Sequence, residues 1–126
     1  LKRFLFMSDV KKQELFELGL KFFNHKQFYD AHEYWEELWL EYHLTDKKFI
    51  QGLIQLTVGY YHWSTGNLKG AFSLLNKSLN KMEAFSPYNR GLDVDLIIKS
   101  TRISIQSIED GKKIDWDRIP RLEVSL

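Results

Sequence analysis

Residues 46–64 constrain the fold more than any other stretch of the chain. Leu53, Ile54, Leu56, Val58, Tyr60, Tyr61 and Trp63 spread large apolar side chains over most of the circumference of one helix. A helix that is apolar on nearly every side has to be surrounded, which places this segment at the centre of a helical bundle. Its polar residues are ordered. Gln51, Gln55 and His62 share one stripe, and Gly52 and Gly59 lie beside it. Glycine inside a helix is unfavourable by roughly 1 kcal/mol against alanine, so two along one edge predict the close approach of another helix.

The remaining pattern supplies the surroundings. Ser8 or Asp9 offers an N-cap, followed by Leu15, Leu18, Phe22 and Phe23 at helical spacing. Expected helices run over about 9–24, 28–42, 46–64, 67–85 and 93–109, with Asn67 and Asp93 as caps of the last two. The fifth is open to a second reading, because Ile103 and Ile105 alternate as a strand would. Residues 86–91 read as loop. Beyond Gly111 an irregular tail is expected to dock Trp116, Ile119 and Leu122 onto the bundle. Lys26-Gln27-Phe28 and Gly66-Asn67-Leu68 each open a helix after a tight turn, an echo similar to tetratricopeptide-like helix pairs. The expected architecture is all-α: a single compact five-helix domain over 1–126 with antiparallel, tetratricopeptide-like pairs.

Composition narrows the function classes. The 126 residues suit one domain, and 44% apolar residues provide a core. With no cysteine, disulfides and thiolate metal sites are excluded. No run approaches the ~20 apolar residues of a membrane span, and no signal-peptide pattern opens the chain, so a cytoplasmic location is expected. Net charge is +1. Lys69, Lys77 and Lys81 share a helix face but are diluted by Asn76 and Asn80, which reads as a solvated face and not a nucleic-acid surface.

The chemistry concentrates in Ala31-His32-Glu33-Tyr34-Trp35-Glu36-Glu37-Leu38-Trp39. At about 100° per residue, His32, Glu36, Trp39 and His43 form one stripe flanked by Phe28, Trp35 and Tyr42. This puts His32 near the centre of an apolar face, while Glu33, Glu37 and Glu41 point to solvent. The short turn before residue 46 makes helices two and three antiparallel neighbours, with Gln55 near Trp35 and Glu36, and Gly59 near His32. The polar stripes should then meet in one cluster: His32, Glu36, Gln51, Gln55 and His62, with Trp39 packed over it. Within it, His32, Glu36 and Gln55 are expected to be hydrogen-bonded. Trp35, Trp39, Tyr60 and Trp63 should leave a pocket or an exposed patch beside it.

These residues resemble a known family. Phe28-Tyr29-x-Ala31, His32-x-x-x-Glu36-x-x-Trp39 and then Gln51-Gly52-Leu53-Ile54-Gln55 are similar to the A-H-E-x-W-E-x-x-W and Q-G-L-I-Q segments of the domain of unknown function family 309. The resemblance spans about residues 15–85, with Gly66-Asn67 and Ala71 also matching. It implies an all-helical domain and carries no established activity.

Three uses of the cluster compete. It could be a buried network that sets helix register, a ligand pocket under an aromatic lid, or a metal site formed by His32, Glu36 and His62. The spacing argues against familiar metal sites. His32-Glu33-x-x-Glu36 lacks the second histidine of helical zinc proteases, and no Glu-x-x-His occurs. No metal and no other cofactor are expected. His25, His43 and the Asp115-Trp116-Asp117 acids need no role. Nucleophilic catalysis lacks a cysteine or a Gly-x-Ser-x-Gly elbow, and phosphate-cradling glycine motifs are absent. The favoured reading is a non-catalytic module binding a small ligand or a protein through His32, Glu36, Trp39, Gln51, Gln55 and His62. The alternative is a small metal-assisted or acid/base, hydrolase-like enzyme, with His32 and Glu36 as catalytic candidates and His62 as their third partner. The ligand or partner is unidentified, and a homodimer is one candidate assembly.

Overall fold

A computed structural model describes residues 2–125, apart from the side chain of Phe4. Leu1 and Leu126 lie outside the described residues. The fold is all-α: α1 (Lys2–Asn24), α2 (Phe28–Glu41), α3 (Lys47–Ser64), α4 (Leu68–Met82) and α5 (Val94–Glu109), with a small hairpin of β1 (Tyr88–Asn89) and β2 (Leu92–Asp93). Among the described residues no helix is long and apolar enough to cross a membrane.

Helix α3 occupies the centre, as its composition requires. Every residue from Phe49 to Tyr60 is buried or partly covered. Its Tyr60 meets Phe23 of α1 edge-on at 6.1 Å and bonds Ser104 of α5 through its hydroxyl at 3.0 Å. The two glycines mark the approach of α4. A Cβ on Gly52 would lie 2.8 Å from Met82, and one on Gly59 2.8 Å from Leu75. Ser78 closes the contact by donating to the Gly52 carbonyl at 2.7 Å. Gly59 therefore faces α4 and not His32, which corrects the expected pairing.

The turns before α2 and α4 are built alike. Lys26 and Gly66 both take positive φ, 61° and 87°. The Gln27 N–H reaches back to the Phe22 carbonyl at 2.9 Å, and the Asn67 N–H to the His62 carbonyl at 2.8 Å. These are six-to-one bonds of helix ends that turn through a left-handed residue.

Several boundaries depart from expectation. Helix α1 runs through Ser8 and Asp9 to Lys2, because residues 2–7 contain no breaker and are mostly good helix formers. Helix α2 stops at Glu41 with Tyr42 extended, so Tyr42 and His43 fall outside the helical stripe. Helix α4 stops at Met82, and a 3₁₀ turn over Glu83–Phe85 swings Phe85 onto Phe49 at 5.3 Å. Helix α5 is helical throughout. Val94, Ile97, Ile98, Thr101, Ser104 and Ile108 are buried at helical period, and Asp93 accepts from the Leu96 N–H.

The segment expected as plain loop turns through Arg90 and Gly91, whose positive φ angles of 51° and 75° suit a two-residue hairpin. That turn carries Arg90 to Asp46, where Nε donates at 2.6 Å and Nη2 at 2.9 Å. Asp46 also accepts from Asn89 at 3.0 Å. With its carboxylate so engaged, Asp46 makes no side-chain cap on α3. The tail closes the structure. Trp116 stacks on Phe28 at 5.8 Å, Asn24 makes two hydrogen bonds with the Leu122 backbone, and Trp63 donates to the Lys112 carbonyl.

Candidate functional site

The spacing of apolar residues orients α2. Phe28, Ala31, Trp35 and Leu38 recur at helical period and are buried. His32, Glu36 and Trp39 lie one step round the helix and are only partly covered. His32 therefore sits at the edge of the apolar face and not at its centre. The difference follows from Trp35, which turns toward α1. Its indole N–H donates to the Phe16 carbonyl at 3.2 Å, and its ring fills the space where a Cβ on Gly19 would stand.

Two contacts set the register of α2 on α3. Thr57 donates to the Phe28 carbonyl at 3.1 Å, and Lys47 lies over the Trp39 ring at 4.5 Å. Between them His32 and Glu36 run along the same length of seam as Gln51 and Gln55. His32 Nε2 is 2.5 Å from Glu36 Oε2, with side-chain exposures of 24% and 44%. A carboxylate at that distance holds the proton of a neutral ring on Nε2 and leaves Nδ1 as an acceptor.

The rest of the expected hydrogen-bonded cluster does not form. Three buried polar atoms lack a hydrogen-bond partner among the described residues: His32 Nδ1, Trp39 Nε1 and Gln55 Oε1. Gln55 thus leaves its carbonyl unpaired instead of completing a His32–Glu36–Gln55 network. His62 turns to Asn67, with 3.3 Å between its Nδ1 and the amide nitrogen. Among the described residues no three histidine, aspartate or glutamate side chains converge as a metal site, so His32, Glu36 and His62 are not a ligand triad.

His32 and His62 nevertheless line one pocket. It has a volume of about 220 Å³ and is walled by Phe28, Tyr29, His32, Val58, Tyr61 and His62. The rings run in series. Tyr29 lies 5.6 Å from His32 and 5.9 Å from Tyr61, and Tyr61 lies 6.0 Å from His62. On the other side of His32 a shallow depression of about 330 Å³ is lined by Glu33, Glu36, Glu37, Leu40 and Glu41. The helix carrying both holds five carboxylates and no lysine or arginine.

This pocket is not the one expected under Trp35, Trp39, Tyr60 and Trp63. Trp35, Tyr60 and Trp63 are buried and spend their polar atoms on Phe16, Ser104 and Lys112. Trp39 is partly covered under Lys47. Tyr29, Val58 and Tyr61 escaped the sequence reading. The available signal was Tyr29 three residues before His32, and Val58 three and four residues before Tyr61 and His62, spacings that share a helix face.

The family model for a domain of unknown function (DUF309) matches residues 16–74, from the second half of α1 into α4. Residues 16–74 belong to the DUF309 family. The matched segment includes every residue that lines the His32 pocket. Among curated proteins, none matches the chain.

Proposed function

We propose that the DUF309 segment is a small-molecule-binding module whose site is the pocket walled by Tyr29, His32, Tyr61 and His62. The observation that carries this reading is His32 Nδ1, an unpaired buried polar atom on a residue of the pocket wall; Trp39 Nε1 and Gln55 Oε1, also unpaired, lie on the same two helices outside that wall. Each such atom costs about 1–3 kcal/mol, and a seam optimised only for packing would not hold three. Polar groups retained against stability are expected where a site needs them.

The ligand class follows from shape and charge. A volume of about 220 Å³ is below the usual range for drug-sized ligands and suits one ring with a short side chain. The walls are mainly aromatic, and the neighbouring depression is acidic. A small aromatic or branched apolar body fits the walls, and a cationic head is favoured over an anionic one by the carboxylates beyond His32.

The test is an NMR titration with benzylamine and, separately, benzoate. Saturable shifts of Tyr29, His32 and Tyr61 are expected with benzylamine, with millimolar affinity for so few atoms. Tyr61→Ala should abolish them, and benzoate should bind more weakly. Absence of saturable shifts with both probes would overturn the proposal.

The His32–Glu36 pair favours a second reading. A histidine oriented by a carboxylate is the arrangement of a general base. Turnover of a small ester that disappears in His32→Ala would support an acid/base enzyme, whereas binding without turnover supports the first reading.

A further inference from the structure

The first half of α1 stands apart from the bundle. Among residues 2–14 whose side chains are described, only Ser8 and Lys12 are even partly covered, and burial begins at Leu15. The reason is length. With Trp35 seated against Phe16 and Gly19, the 14 residues of α2 run alongside only the later part of the 23 residues of α1. At 1.5 Å per residue, roughly 14 Å of helix projects past its neighbour. That projection is apolar where solvent should favour polar residues: Phe6 is 68% exposed, Met7 62% and Val10 50%.

The outward face has a regular order. Arg3, Met7, Val10, Glu14 and Glu17 follow one another at spacings of four, three, four and three, the seam of a helix that pairs with another helix. The seam is basic at one end, apolar in the middle and acidic at the other. Paired antiparallel with a second copy of itself, it sets Met7 against Val10 and Arg3 against Glu14, each twice by the two-fold axis. Paired parallel, it would set Arg3 against Arg3 and Glu14 against Glu14. Arg3 makes no ion pair among the described residues, and Glu14 has only the exposed Lys11 at 3.9 Å, which leaves both free to pair across the axis.

We propose that this face is a homodimer interface in which the α1 projections of two copies pair antiparallel. The patch is short, so the dimer is weak and depends on concentration. The inference is independent of the ligand pocket, which lies on α2 and α3.

Sedimentation equilibrium of the full chain tests it, with circular dichroism melts confirming that each variant folds. The unmodified chain should show a monomer–dimer equilibrium. Arg3→Glu or Glu14→Arg alone should weaken the dimer about tenfold, because two pairs turn from attraction to repulsion. The double variant R3E/E14R should restore it, and Val10→Glu should abolish it. A monomer persisting at about 1 mM protein, a double variant no tighter than the singles, or a dimer that survives Val10→Glu would each overturn the proposal. Association with a different protein at the same face, in a chain that stays monomeric alone, would also overturn it.

Discussion

Asp46 and His32 show two degrees to which a partly buried polar side chain is partnered. Asp46 accepts three hydrogen bonds from the hairpin and makes no side-chain cap on α3. Arg90 in turn lies over the Phe16 ring at 4.9 Å, so the same guanidinium ties the hairpin to α1. Burial by itself would raise the Asp46 pKa, but hydrogen bonds from Arg90 and Asn89 and the Arg90 charge outweigh it and hold the carboxyl below its ordinary value. A carboxyl depressed on folding adds stability above its unfolded pKa and loses it as pH falls through the folded value. Asp46→Asn should therefore cost about 1.5–3 kcal/mol at neutral pH, the range for hydrogen bonds to a charged group. The two proteins should begin to converge as pH falls below the unfolded value of roughly 4 and meet only below the depressed folded value. Urea unfolding of both at neutral and acid pH checks this, and a difference that stays constant with pH would contradict it. His32 is partnered only in part, with one ring nitrogen on Glu36 and the other without a partner.

Among the elements, the matched turns at Lys26 and Gly66 make a cleaner comparison than any helix. Both use the same back-bonds, yet only one has the residue that left-handed backbone favours. Lys26→Gly should raise stability by about 0.5–1 kcal/mol, and Gly66→Ala should lower it by about 1 kcal/mol. Denaturant midpoints measure both, and a destabilised Lys26→Gly would contradict the equivalence of the turns. The helices were legible because they repeat apolar residues at a fixed period, and the central place of α3 followed from its apolar circumference. The ends were less legible where nothing local decides them. No residue before Ser8 breaks α1, and Tyr42 ends α2 without glycine or proline. The site was legible in part. Spacing alone brought His32 to Glu36, because they share one helix. It could not assign Gln55, His62 or the indoles, whose partners are set by which neighbouring helix each ring meets. Trp35 went to α1 because Gly19 leaves room for it, a pairing 16 residues away that periodicity does not report.

On the scale of the molecule, one apolar core runs from Leu15 in α1 to Leu122 in the tail, and stability is collected there. The α2–α3 seam is where polar groups depart from that logic. The account holds that His32 is retained for a ligand and not for the fold. Its most direct test is to measure stability and benzylamine binding together in His32→Phe, which keeps a ring beside Tyr29 while removing the unpaired nitrogen. The account predicts unfolding free energy within about 0.5 kcal/mol of the unmodified chain, or above it, since an unsatisfied polar atom has been replaced by an apolar one. Benzylamine binding should be lost. A loss of more than about 2 kcal/mol of stability, with benzylamine binding unchanged, would contradict the account and make His32 a structural residue.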